Sequence, residues 1–504
     1  MSNFKLDKKI FLIYSIFFIV SLFFIQFHEM WRDELQAWLI ARDSTNIIDL
    51  FKNLKYEGHP ALWHLILYPL TKIFNNPVSM QYTHVIIASG SILVLLVYAP
   101  FTIFQKILLT FSYYLFFEYN LISRNYSISV LLIFITCALF SKRNENSIIL
   151  SFILFLLSQT NVFGLMISIC FLLTFVLENI ICKFKRIEIN FNYRNVISYF
   201  IIFFGIIISA LQIMPPDESN VSLNFKPIYE NLRTITRALY ASYLPLPKIE
   251  INFWGSKLFM SNKSLNEANF YLLAFGIFII LFFAYLTISY LKSKPSSLFF
   301  FLFGSTFLMI FFVLVLPGTN RHHGFLFIIL ISSLWINSHC QNYNTKLLNF
   351  ISNYEFGYLQ KVYTFIFIIH FLSGLIAIRQ DYIYPFSGAQ ETAQYIVSNK
   401  LENYQLVGYQ DYAASAVVGY LINKKIFYPQ SMESGSFIKW NKNRIKFINL
   451  NKFKINLNNN HLLILNEKMI SNDYLEIFRS KKSIVRDESF FLYKKILHNK
   501  HYFK

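Results

Sequence analysis

Two adjacent carboxylates, Asp33 and Glu34, lie in the segment Trp31-Arg32-Asp33-Glu34-Leu35-Gln36-Ala37-Trp38, directly after the first long apolar run of the chain. A carboxylate held beside a membrane can take the proton of a hydroxyl as a general base, an effect worth about 10²–10⁴-fold in rate. The same doublet could simply place negative charge at the positive end of a helix. Further along, Tyr56-Glu57-Gly58-His59-Pro60-Ala61-Leu62-Trp63-His64 adds an imidazole just before a proline. Proline holds the preceding residue extended and can open a helix at its first position. His59 is thereby placed at a helix entrance, although a His-Pro pair alone is a weak signal.

Two arginines complement these acids. Arg321 stands in Leu316-Pro317-Gly318-Thr319-Asn320-Arg321-His322-His323-Gly324, between two apolar runs. A guanidinium can grip a phosphate through paired hydrogen bonds, with His322 or His323 assisting; snorkelling of Arg321 to the interface is the plain alternative. Adjacent histidines do not share a helix face, so a metal site at His322-His323 is the weaker reading. Arg124, in Ser123-Arg124-Asn125-Tyr126, is the second cation, with Glu118 available as a structural ion-pair partner. Asp217, Glu218, Arg233 and Arg237 read as solvated positions.

The elements that carry these residues are apolar. Of the 504 residues 55% are hydrophobic and only 14% charged, where a soluble protein carries about 25% charged residues. This excludes a disordered, collagenous or ordinary soluble chain. The net charge of +19 is not read as a nucleic-acid surface, because much of it lies in short patches between apolar runs, where it sets topology. Eleven spans are predicted: 10–27, 83–99, 103–118, 121–140, 147–159, 161–181, 196–213, 269–291, 297–316, 323–339 and 362–379. Segment 61–74, short and containing Pro69, is predicted to lie on the surface as a juxtamembrane helix. With eleven spans and a cytoplasmic N-terminus, the basic connectors at 141–143, 182–186, 292–294 and 341–361 all fall in the cytoplasm. Asp33, His59, Arg124 and Arg321 then share the outer face and should surround one cavity.

Beyond residue 380 no run is long enough to span, and Lys and Arg outnumber acids 18 to 10. Helix-like 388–400 and 412–421 alternate with strand-like 405–409, 425–428, 461–465 and 489–493, which predicts a small α/β domain. The chain is thus expected to be an α-helical polytopic membrane protein over 1–380 with juxtamembrane helices, followed by an extracytoplasmic α/β domain over 381–504. Gly408-Tyr409-Gln410-Asp411-Tyr412 and Tyr428-Pro429-Gln430 end predicted strands, where ligand crevices often form; acceptor recognition, a lid and a structural cap all fit. Cys137, Cys170, Cys182 and Cys340 lie in or beside apolar runs without metal-ligand spacing, so neither a disulfide framework nor a cysteine-based zinc site is expected.

An acidic doublet after the first span, followed by Gly58-His59-Pro60-Ala61-Leu62, resembles the GT-C superfamily of integral-membrane glycosyltransferases. The branch it looks most like contains protein O-mannosyltransferases, aminoarabinose transferases and related bacterial enzymes. Ala61 stands where that branch often has a second proline. Arg124-Asn125-Tyr126 matches its Arg-x-Tyr element, with Ile122 where an acid is often found. The resemblance covers residues 10–180 by motif and the remainder by architecture. It implies transfer of a sugar from a polyprenyl-phosphate donor to a hydroxyl of a cell-envelope glycan, lipid or protein, with inversion, on the periplasmic face of a bacterial inner membrane. Asp33 would be the base, Glu34 its helper or orienter, and His59, Arg124, Arg321, His322 and Glu118 would serve substrate and phosphate. No cofactor is required by this scheme, while a divalent cation is used by some members of the superfamily and not by others. A lipid-linked oligosaccharide flippase and a polysaccharide polymerase or ligase are the rival functions. The flippase should show mid-bilayer charges and an internal repeat, which are not evident.

Overall fold

The computed structural model describes residues 7–184, 193–218, 227–256, 258, 267–340, 356–445 and 460–496. Of the predicted cytoplasmic patches, residues 185–186 of 182–186 and residues 341–355 of 341–361 lie outside them. The chain is mostly helical and ends in a six-stranded sheet. Among the described residues six helices are long and apolar enough to cross a membrane: Val78–Tyr98, Val162–Phe184, Tyr193–Ile213, Ala274–Leu291, Pro295–Leu314 and Lys361–Ile383. Their outward sides keep large apolar residues such as Phe200, Phe203, Phe278 and Leu281 exposed, as helices facing lipid do. The chain is therefore a polytopic membrane protein in its helical part.

The other five predicted spans take different forms. The first helix, α1 (Lys8–Phe24), has 17 residues and buries only Phe17 and Ser21, so it packs at the periphery. Ser147–Ser158 has 12 residues, and Tyr126–Leu139 runs on through a 3₁₀ turn to Lys142. The 103–118 run is broken: helix Ile103–Thr110 stops and a π-helix, Tyr113–Leu121, begins behind the Ser112 cap. The last long helix closes on this break through Gly374, where a Cβ would stand 2.6 Å from the Phe111 carbonyl oxygen. Helix Asn320–Asn337 occupies the centre, with every residue from His322 to Asn337 buried. Surrounded by protein, it tolerates Ser332 and Ser333, which a lipid-facing helix would not favour.

Between α1 and the first long span lie α2 (Arg32–Asp43), α3 (Ile47–Leu54) and α4 (Leu62–Ile73). The juxtamembrane helix predicted at 61–74 is α4, whose Pro69 sits inside the helix. α2 is the core element of this region, since Leu35, Trp38, Leu39 and Ile40 are all fully buried.

After Ile383 the sheet forms in the order β3-β2-β1-β4-β6-β5. Its strands are β1 (Gln405–Gly408), β2 (Ile426–Tyr428), β3 (Glu433–Gly435), β4 (His461–Leu465), β5 (Tyr474–Arg479) and β6 (Phe491–Lys495). β1 pairs in parallel with β2 and β4, and the remaining pairs are antiparallel. Helices Ala389–Ser398 and Asp411–Gly419 accompany it. β3 and β5 were not expected from sequence: both are edge strands without a buried apolar alternation, β3 short and polar, β5 mostly apolar but only half-buried.

This domain is fastened to α2. The Gln36 amide donates to the Ile438 carbonyl at 2.7 Å and accepts from the Ile438 N–H at 3.0 Å. Tyr420 Oη accepts from the Met30 N–H at 2.7 Å, and Arg32 pairs with Asp487 at 2.9 Å and Glu488 at 3.3 Å.

Candidate active site

α2 begins where the chain leaves α1, and its first turn carries both carboxylates. They part company at once. Glu34 is fully buried. One of its oxygens accepts the Ser123 N–H at 2.6 Å; the other accepts the Trp31 N–H at 3.2 Å and faces His28 Nε2 at 3.2 Å. His28 Nδ1 in turn lies 2.8 Å from Asp381. Burial alone would lower the His28 pKa, but the carboxylates of Asp381 and Glu34 reverse this and raise it to about 10. His28 is therefore an imidazolium clamped between two acids, and Glu34 has its lone pairs committed to holding the first turn of α2 and the 123–124 loop.

Asp33 points the other way and keeps 28% of its side chain exposed. Arg321 Nη2 donates to its Oδ2 at 2.7 Å, and Arg124 Nη1 stands 4.0 Å from the same oxygen while also donating to the Asp33 carbonyl. Burial would raise the Asp33 pKa, yet Arg321, Arg124 and Arg32 together hold it below the ordinary carboxylate value. Asp33 is thus ionised at neutral pH. The aromatic faces of Trp31 and Trp254 lie 5.0 and 5.8 Å from the Arg321 guanidinium, and Tyr126 lies 5.8 Å from that of Arg124. These rings hold the cations by their π faces without neutralising them.

His59 follows Gly58, whose φ of +64° turns the chain between Glu57 and His59. No neighbour crowds that α-carbon, so glycine is required there by backbone angle and not by space. Burial and the guanidinium groups of Arg124 and Arg321 push the His59 pKa down to about 3, with Asp33 opposing. His59 is a neutral imidazole within electrostatic reach of all three residues. Its Nδ1 is buried with no hydrogen-bond partner among the described residues.

Sequence reasoning missed Glu57. Its carboxyl accepts from the Gln36 amide at 2.8 Å. Burial raises its pKa to about 7, against the Gln36 hydrogen bond and Arg124 and together with Asp33. Its place two residues before His59 was the available signal. Trp254 was missed as well, since nothing in its surroundings marks it.

The remaining site candidates are structural in geometry. Glu118, buried in the π-helix, accepts from Trp254 Nε1 at 3.0 Å. The carboxylate facing Arg124 is Asp33 and not Glu118, because the π-helix turns Glu118 toward Trp254. Buried His322 accepts the Thr319 N–H on Nδ1 at 3.0 Å, and its Nε2 lies 3.0 Å from Tyr126 Oη and 3.4 Å from Arg321 Nε. It caps the central helix and so fixes Arg321 beside it. Arg233 and Arg237 project from the exposed side of helix Ile228–Tyr243, and Asp217 and Glu218 are exposed.

Asp33, His59, Arg124 and Arg321 are thus assembled in one place, each partly exposed among buried neighbours. The arrangement offers an ionised carboxylate, a neutral imidazole and two guanidinium groups. It suits proton abstraction next to an anion. No group of three or more His, Cys, Asp or Glu side chains able to hold a metal occurs among the described residues. A cavity of about 260 Å³ opens elsewhere, between the far end of α2 and the sheet domain, and none of the four residues lines it. No protein-family model matches the chain, and neither a curated protein nor a solved structure matches it.

Proposed function

We propose that this protein is a GT-C-type glycosyltransferase that moves a sugar from a polyprenyl-phosphate donor to an acceptor hydroxyl. The observation that carries this reading is the ionised Asp33 carboxylate held by Arg321 and flanked by Arg124, next to a bundle of membrane-crossing helices. An aliphatic lipid donor accounts for a catalyst embedded in a bilayer. The two arginines suit its phosphate, and the carboxylate suits the acceptor.

The reaction is a single displacement. The acceptor oxygen attacks the anomeric carbon, the bond from that carbon to the phosphate oxygen breaks, and configuration inverts. Asp33 takes the acceptor proton while Arg321 and Arg124 receive the charge that gathers on the departing lipid phosphate. A carboxylate neutralised by two guanidinium groups is a weak base. When the arginines turn to the phosphate, Asp33 loses that neutralisation and its proton affinity rises toward what the step needs. Neutral His59 can donate or accept a hydrogen bond beside it without adding charge. The scheme needs no cofactor. It places the site on the periplasmic face of a bacterial inner membrane, with the N-terminus in the cytoplasm and the sheet domain outside.

The test is purified protein incubated with polyprenyl-phosphate sugars. Wild type should consume a donor, and Asp33→Asn should lose at least about 10²-fold in rate while keeping its melting temperature. Full activity in the variant removes Asp33 as base. Failure of wild type to consume any such donor removes the donor class.

A further inference from the structure

The cavity between α2 and the sheet domain lies where a ligand crevice is expected in a parallel sheet. It opens beyond the carboxyl ends of β1 and β2, with Asp411 at the start of the helix after β1 and Tyr428 closing β2. Its opposite wall comes from the other half of the molecule, through Asp43 at the end of α2 and Asn53 on α3. The floor is a bidentate pair in which Arg444 donates to both oxygens of Asp411 at 2.6 Å, almost completely buried. Above it Lys425 and Glu433 are exposed.

The lining mixes polar and apolar groups and carries charges of both signs. Three of its four carboxylates are already engaged, Asp411 by Arg444, Asp43 by Arg42 and Ser436, and Asp49 by Thr45, which leaves the exposed Glu433. One bare carboxylate is too few for a cation, which needs several oxygen ligands, and no group of three such side chains is placed to hold one among the described residues. The same acids argue against a phosphate. What remains is a mixture of hydrogen-bond donors and acceptors with an apolar part that includes Phe437. A hydroxyl is donor and acceptor at once, so this lining matches a polyhydroxylated ligand whose C–H face rests on the ring.

The geometry points to a saccharide-binding site in this cavity, formed jointly by α2, α3 and the ends of β1 and β2. Asp33 and Asp43 lie on one helix ten residues apart, about 15 Å at 1.5 Å per residue. Glu34 through Ala41 are buried between them, so a glycan seated at Asp43 would have to pass around α2, and not along it, to reach Asp33. Its role as acceptor rests on the proposed transfer reaction, but the binding itself does not.

The experiment uses full-length protein in nanodiscs on an array of defined bacterial envelope oligosaccharides that carry no polyprenyl group. Donor consumption is measured in parallel. At least one oligosaccharide should bind, and Lys425→Ala and Glu433→Ala, both at exposed positions that tolerate change, should each weaken it about tenfold, the loss of one charge-assisted hydrogen bond. Absence of binding to every oligosaccharide, or binding untouched by both substitutions, overturns the site. If donor is consumed but no glycan binds, this inference falls and the transferase reading stands. If glycan binds but no donor is consumed, the transferase reading falls and the saccharide site stands.

Discussion

At the scale of single residues, the two neighbouring acids divide the labour that their sequence left undivided. Asp33 faces two arginines and solvent, whereas Glu34 faces a buried imidazolium and two backbone N–H groups. The doublet was legible as chemistry because charge is scarce in this chain. Which acid turned outward was not, since it depends on Asp381, far along the sequence. The same distance hid the partner of Arg124. Asp33 sets the expected acidic limb of any pH profile. In the free enzyme its pKa lies below the usual carboxylate range, so kcat/KM should persist as pH falls until that depressed pKa is reached. Arg321→Gln removes the nearest positive charge and should move this limb to higher pH, as a pH–rate profile of donor consumption will show. An unmoved limb would mean that the base is another group.

At the scale of elements, the first turn of α2 is held by the chain Asp381–His28–Glu34. Glu34→Ala leaves the His28 imidazolium half-paired and the Ser123 N–H without an acceptor, which should cost about 3–5 kcal/mol. Thermal unfolding should separate this variant from Asp33→Asn. The clamp also sets a pH dependence. His28 is raised from its ordinary 6.5 to about 10, so its contribution is complete below pH 6.5 and is lost as pH rises through about 10. Melting temperatures measured across that range should fall in wild type and stay flatter in His28→Gln. Gly58→Ala forces a side chain into a left-handed backbone angle and should cost about 1–2 kcal/mol. Helices with continuous apolar sequence, and α4 with them, were readable from composition and length. The break at Ser112 was not, because local sequence there is as apolar as in the helices around it. β3 and β5 lacked the alternation that marks a strand.

At the scale of the molecule, the sequence divides at about residue 380, while in space α2 joins the two parts. Gln36, Arg32 and Arg42 all bond to the sheet domain from a helix that belongs to the membrane half. The apolar runs and the basic tail could be told apart by composition. Their seam could not, because it consists of ordinary polar residues meeting others some 400 positions away. The proposed sidedness is open to labelling. The native cysteines Cys137, Cys170, Cys182 and Cys340 are all buried, so a single introduced thiol can be read cleanly. Lys482→Cys, at an exposed site, should react with a membrane-impermeant maleimide on intact spheroplasts. Glu145→Cys should react only after the membrane is opened. The reverse pattern would turn the whole topology over.

The pairing of one carboxylate with two guanidinium groups has a kinetic corollary. In the proposed reaction the donor is a phosphodiester with a single negative charge, and the lipid product is a monoester that carries a second. A cluster with excess positive charge holds the product more firmly than the donor, so departure of the lipid phosphate, and not sugar transfer, should pace the cycle. Added polyprenyl phosphate should then compete with donor at concentrations below the donor KM. An uncharged polyprenol of the same length should not.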